Sequence, residues 1–365
     1  MTDHLNNLPS RYDQQPERAH LRIGYLPLTD SAPLIVASML ELGRRHGLTL
    51  ELCRQPSWAA VRDNLLCGEL DAAQSLYGMV YGVQFGLGGP QADMAILMTI
   101  NRNGQAITVS NQLADAIAGG LSVRSALKAL GRKPVLAQTF PTGTHAMWLN
   151  TWLASQDVHP LDEIESVVIP PPQMAEALLH GELDGFCCGE PWHAVAQAKL
   201  AGRTIVRSGD IWPNHPEKAL ACRRDFAALF PNTARALICT MLDACQWLNS
   251  AANRRKAAEW MALPQFLNLP ENLIASTLPG DASAVATPPL HTPISFFDDA
   301  GLNAPIASDG LWFLNQFSRW GMLAATAAAD DWDAIVVQVS QTRLYNDAVL
   351  ALEIGRNPSA PGAFR

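Results

Sequence analysis

The chain has 365 residues, 48% of them apolar and only 16% charged, so it can bury a large core, and disorder is excluded for all but its ends. Its 34 acidic and 26 basic side chains leave a formal charge of −8 with no basic run, which disfavours nucleic acid as a direct ligand. Seven cysteines without a CxxC pair suit buried thiols in a reducing compartment better than a disulfide framework.

The first twenty residues, MTDHLNNLPSRYDQQPERAH, hold neither the apolar core of a signal peptide nor a lipid-attachment cysteine. A disordered tail over 1–20 and a cytoplasmic location are therefore expected. Residues 21–27 (LRIGYLP) alternate as a strand, and a helical pattern follows over 33–45. A second strand is expected at 49–54 (TLELCR), after which Ser57 caps a helix opening at Trp58. Further strands fall at 95–100 and 105–110, a helix at 121–130, and a strand at 134–137 that starts a new unit. The charge-free stretch 72–92 is broken by Gly78, Gly82, Gly86, Gly88, Gly89 and Pro90, which argues against a membrane span. After Pro231 the pattern turns to long helices at 233–250 and 254–261, a Pro-rich stretch at 278–293, an amphipathic segment at 310–323 and an unstructured tail from 356 to 365.

One segment occurs twice. Leu65-Leu-Cys-Gly-Glu-Leu-Asp-Ala72 returns as Leu178-Leu-His-Gly-Glu-Leu-Asp-Gly185, identical at six of eight positions. In each copy a helix stops at a glycine able to take the left-handed conformation, and Leu-Asp leads into a short strand, 72–76 or 185–189. Two α/β lobes on one plan follow, with 21–115 and 230–355 forming lobe I and 116–229 forming lobe II. Ligands of such folds bind where strand ends and helix amino termini face the cleft.

Catalytic motifs are missing: there is no HExxH, GxSxG, GxxxxGK[ST] or GxGxxG, and the nine histidines lack the spacing of metal ligands. No catalytic residue, metal or cofactor is assigned, and the chain is read as a non-enzyme. Gly86–Gly89 lacks the lysine of a phosphate loop and reads as a turn. Instead, several polar residues suit a small anion. Thr29-Asp-Ser-Ala-Pro33 marks a helix start, either an anion site or an ordinary cap. Phe140-Pro-Thr-Gly-Thr-His145 is a second such start, with His145 either a donor or a structural histidine. Trp58 offers a flat wall or core filler. Gln105 is an amide donor or a surface amide, and Lys218 a binding cation or a solvated lysine.

These pieces resemble one family. Gly24-Tyr-Leu-Pro-Leu-Thr-Asp-Ser-Ala-Pro-Leu, Gln55-Pro-Ser-Trp-Ala-Ala-Val-Arg-Asp-Asn-Leu, Asn103-Gly-Gln-Ala-Ile, Cys188-Gly-Glu-Pro-Trp, Ile211-Trp-Pro-Asn-His-Pro-Glu-Lys-Ala and Leu311-Trp-Phe-Leu are similar to the nitrate- and bicarbonate-binding proteins of the NrtA and CmpA kind. The resemblance implies a two-lobed, type II periplasmic-binding-protein fold with ligand held between the lobes. It also implies a nitrate site made of Trp58, Gln105, His145 and Lys218. Lys218, where bicarbonate-binding relatives have an acidic residue, favours nitrate or nitrite. Asp30 and Glu190 lie near the expected cleft and should be bonded to backbone or lysine rather than left to repel an anion.

Without a leader, the chain resembles most the cytoplasmic NasS-type sensors, whose expected partner is a NasT-type RNA-binding antiterminator. Two other expectations compete: the solute-binding component of a nitrate importer whose leader was removed, and a relative of the pyrimidine-precursor synthases, which share the fold and would need a reactive histidine–cysteine arrangement.

Overall fold

The computed structural model describes residues 15–278, 293–323 and 329–356. In chain order the strands are β1 (His20–Tyr25), β2 (Thr49–Arg54), β3 (Ala72–Leu76), β4 (Met94–Arg102), β5 (Gln105–Ser110), β6 (Val135–Gln138), β7 (Glu165–Val168), β8 (Gly185–Gly189), β9 (Gly202–Arg207) and β10 (Pro216–Arg223). They build two five-stranded sheets, β2-β1-β3-β10-β4 and β7-β6-β8-β5-β9. Each sheet sets three parallel strands beside one antiparallel strand, β10 in the first and β5 in the second.

Those antiparallel strands are exchanged between the lobes. β4 passes through Asn103 and Gly104 directly into β5, and the chain returns from β9 to β10 through 208–215. Asn103, Gly104 and Asn214 carry φ of 60°, 96° and 60°, a left-handed region that Gly and Asn enter at low cost. Asn214 N donates to Asn103 Oδ1 at 2.9 Å, which ties the two crossings side by side. The expected limits at 115/116 and 229/230 therefore fall a strand late: β5 belongs to the sheet of lobe II and β10 to that of lobe I.

The repeated octamer does the same work twice. Helices Trp58–Leu66 and Pro171–Leu179 are followed by Gly68 and Gly181 at φ 83° and 72°. Leu70 and Leu183 are buried, and the next residue fastens to the neighbouring parallel strand, β1 in one sheet and β6 in the other. Asp71 accepts from Arg22 N at 2.8 Å in lobe I, and Asp184 accepts from Val135 N at 2.8 Å in lobe II. Each aspartate also pairs with an arginine at 2.7 Å, Arg18 and Arg132 respectively.

One core packs the first sheet under helices Ala32–Met39, Pro231–Trp247, Ala251–Met261 and Thr342–Arg356 through Leu97, Leu237, Ile238 and Met241. A second, on the far side of lobe II, joins Val109, Leu113, Trp148 and Trp152. A third runs between the lobes through Leu28, Leu76, Tyr77, Phe140 and Phe186. Burial of this much apolar surface is the main driving force for the architecture. The carboxy-terminal amphipathic segment is helix Ala307–Arg319, which packs on lobe I by stacking Phe313 on Tyr77, ring centroids 6.0 Å apart.

Several local expectations shift. The helix expected at 33–45 ends at Met39, because Glu41 turns left-handed (φ 49°) before a short turn over Leu42–His46. The helix at 121–130 is Val123–Lys128, preceded by helix Asn111–Ala118, which Ser110 caps by accepting from Leu113 N at 3.4 Å. The amino-terminal tail is shorter than 1–20: Glu17 accepts from Thr233 N at 2.8 Å at the start of helix Pro231–Trp247, and β1 begins at His20. Residues 1–14, 279–292 of the Pro-rich stretch, and 357–365 lie outside the described residues.

Candidate functional site

Lobe I brings the charge. The chain leaves β1 into a short turn, Thr29–Ser31, that buries Asp30. Gln74 of β3 fixes this carboxylate: its amide donates to Asp30 Oδ1 while its carbonyl accepts from Leu26 N at 3.1 Å. Lys218 of β10 is fully buried, with Nζ 2.7 Å from Asp30 Oδ2 and in contact with Glu217. The same ammonium lies 5.5 Å from the ring centroid of Trp58, a cation–π distance. Trp58 is held there as the first residue of its helix, where Ser57 Oγ accepts from Ala60 N at 3.2 Å.

Lobe II brings neutral donors. Gln105 opens β5 directly opposite Gly189 of β8, so both face the same side of the sheet. A Cβ on Gly189 would stand 3.2 Å from Asp30 Oδ2 and 3.8 Å from Lys218 Nζ; the absent side chain is what lets lobe I approach. His145 is the second residue of helix Thr144–Ser155, its Nδ1 2.5 Å from Thr139 Oγ1 and its Nε2 3.5 Å from Glu217 Oε1. The loop before this helix rests against helix Tyr77–Gln84. There a Cβ on Gly78 would meet Thr142 O at 2.2 Å, and one on Gly82 would meet Thr142 Oγ1 at 2.2 Å.

Trp58, His145 and Lys218 therefore share one buried locality at the lobe boundary, and Gln105 joins it through Gly189. Among the described residues, Trp58 Nε1, His145 Nε2 and both amide atoms of Gln105 are buried without a hydrogen-bond partner. Native interiors leave few such groups, and each one calls for an explanation. Asp30 is paired with lysine as expected, while Glu190 is paired with Arg207 at 2.9 Å instead of with lysine or backbone.

Glu217, Gln74 and Thr139 were not singled out from sequence. Gln74 sits inside the apolar strand AAQSL and Thr139 follows a strand end, so neither carries a local signal. Glu217 should point away from Lys218 in a regular strand, but β10 is irregular here: Pro216 pairs with Arg102 and Lys218 with Asn101. Two residues on β10 thus face one step on β4, the arrangement of a β-bulge, which re-aims a side chain.

Burial sets the titration of the cluster. It holds His145 neutral, well below the usual imidazole range, and the Lys218 charge pushes the same way. Burial raises Glu217 to about 7, against the pull of Lys218 and with the charge of Asp30 adding to the rise. Lys218 stays protonated because its two carboxylate neighbours outweigh its desolvation. The histidine–cysteine pair closest to the site, His193 and Cys188, has Nε2 and Sγ 3.6 Å apart, but burial drives the thiol well above its ordinary value, opposite to what a nucleophile requires. Among the described residues no three His, Cys, Asp or Glu side chains are grouped to hold a metal ion, and no helix is long and apolar enough to cross a membrane.

A model of the NMT1-like family matches residues 14–262. The chain belongs to that family. Among its relatives, the nitrate/nitrite binding protein NrtA of Synechococcus elongatus is 33% identical over 366 residues, covering 95% of this chain and 81% of its own. The bicarbonate transport ATP-binding protein CmpC of the same organism is 34% identical over 343 residues, covering 93% of this chain and 50% of its own; the chain thus spans about half the length of such ATP-binding relatives. The crystal structure of the periplasmic nitrate-binding protein NrtA from Synechocystis PCC 6803 superposes with a TM-score of 0.85 at 30% identity over 93% of this chain and 91% of that one. This NMT1-like chain is therefore a relative of the nitrate- and bicarbonate-binding proteins, and the expected two-lobed periplasmic-binding-protein fold is the one it adopts.

Proposed function

We propose that the chain binds nitrate or nitrite between its lobes, with Trp58, Gln105, His145 and Lys218 as the ligand-contacting residues and no cofactor. One observation carries the reading: the unmet buried polar side chains of Trp58, Gln105 and His145 lie in the same buried locality as the Lys218 ammonium. Nitrate is flat, singly charged and accepts hydrogen bonds without donating any. Lys218 supplies a charge-assisted bond, Gln105 and His145 supply N–H donors, and the Trp58 face supplies a wall. For His145 this requires the tautomer with a proton on Nε2, Thr139 O–H donating to Nδ1. The name of NrtA, nitrate/nitrite binding protein, supports the same ligand.

The finer role we infer is that of a cytoplasmic sensor controlling a NasT-type RNA-binding antiterminator. None of the seven cysteines is in a disulfide and five of them are buried, which supports a reducing compartment. Lobe closure on the anion would alter a partner surface, driven by the difference in ligand affinity between the two states. The solute-binding component of a nitrate importer is the second reading, favoured by relatives named for periplasmic nitrate binding and for transport.

Calorimetric titration with nitrate, nitrite, bicarbonate and sulfate tests the ligand. Nitrate or nitrite should bind one to one, with loss of binding in Lys218→Ala; failure of both ions to bind would overturn the reading. Mixing with a NasT-type antiterminator separates the two roles. A complex whose stability changes on adding nitrate supports the sensor, and the absence of any complex favours the importer.

A further inference from the structure

The bulge that brings Glu217 beside Lys218 leaves the site with more negative than positive charge. Asp30 Oδ2 lies 2.7 Å from Lys218 Nζ, Glu217 Oε1 contacts the same ammonium, and Glu217 Oε2 is buried without a hydrogen-bond partner. The groups facing Glu217 from the surrounding elements do not restore the balance. From helix Thr144–Ser155 come His145, kept neutral by burial, and the indole of Trp148. Ahead of β10 stands His215, lowered by burial to about 3, and from β8 comes the thiol of Cys187, raised by burial. On β4, Arg102 is occupied by Asp309 at 2.9 Å, and beyond β8, Arg207 is occupied by Glu190 at 2.9 Å.

With both carboxylates ionised, one ammonium faces two negative charges before any anion arrives. A third negative charge in so buried a place would be strongly opposed. We propose that Glu217 takes up a proton when the anion binds, so that the site captures the anion and one proton together. The proton removes the excess charge and turns a repelling acceptor into an O–H donor suited to an acceptor-only ligand. This rests on the nitrate reading above and makes Glu217 the residue that links that binding to pH. The direction of its titration in the unliganded site agrees: burial has already raised it to about 7.

The sign of the linkage is fixed by the proton count. The bound state holds one more proton than the free state wherever free Glu217 is ionised, so affinity falls as pH rises, by up to about tenfold per unit, and levels off in acid where Glu217 is already protonated. Calorimetry of nitrate binding at about pH 8.5, run in two buffers of different ionisation enthalpy, should report uptake approaching one proton, and close to none at about pH 6. Glu217→Gln, which keeps a neutral donor, should bind without proton uptake and with an affinity flat over the same range. Binding by the wild type without uptake at the higher pH overturns the inference and leaves the nitrate reading standing, and uptake that persists in Glu217→Gln would move the proton to His145 and also overturn it. No nitrate binding at either pH overturns both. The two-buffer comparison needs only the wild-type protein, so a poorly folding variant does not remove the test.

Discussion

Asp71 and Asp184 occupy the same place in two sheets of the same strand order and make the same bond to a neighbouring parallel strand. The residues that the two lobes present to each other are nonetheless unlike. Lobe I presents Asp30, Glu217, Lys218 and the face of Trp58, whereas lobe II presents Gln105 and a neutral His145. A duplicated scaffold thus supplies geometry, and the strand ends supply chemistry. The charged groups sit on one side and the uncharged donors on the other.

The largest break in this comparison is Lys218→Ala. It leaves Asp30 buried without its cation, so denaturant unfolding should show a loss of about 3–5 kcal/mol together with loss of anion binding. Lys218→Ala combined with Asp30→Asn should recover much of the stability and none of the binding. Gly78→Ala attacks the lobe boundary instead. Alanine gains about 1 kcal/mol of helix propensity, but a Cβ 2.2 Å from the Thr142 carbonyl forces the backbones apart. The clash should win, with a net loss of about 1–3 kcal/mol in stability and weaker nitrate binding by calorimetry.

Smaller effects test whether the scaffold halves are equivalent. Asp71→Asn and Asp184→Asn should each cost about 1–2 kcal/mol in thermal or denaturant unfolding and should add in the double variant, since the sites are independent. A loss at one position alone would show that the repeated segment supports only one lobe. The smallest expected change comes from Gln105→Ala, one neutral donor of lobe II. Nitrate affinity should fall by about 1 kcal/mol, roughly fivefold, with the unfolding midpoint nearly unmoved.

Much of the scaffold was legible in the sequence because its signals are local: the alternation of 49–54, the Ser57 cap, and the octamer that ends two helices at glycine. Strand exchange was not, since nothing within 105–110 or 216–223 says which sheet a strand will join. The four candidate ligand residues each kept an ordinary reading until resemblance grouped them. Their packing at the lobe boundary then supplied a reason that spacing could not. Glu217 stayed hidden because strand alternation places neighbours on opposite faces, and only the irregular pairing of β10 with β4 turns it toward Lys218. Gln74 was missed for a related reason: a polar residue in a buried strand gives no hint of the carboxylate it holds.

A crystal structure of the protein grown with nitrate tests the central claim most directly. The account predicts one flat anion lying against Trp58, within hydrogen-bond reach of Lys218 Nζ, the Gln105 amide and His145 Nε2. Nitrate bound elsewhere, or those four side chains meeting only one another, would contradict it.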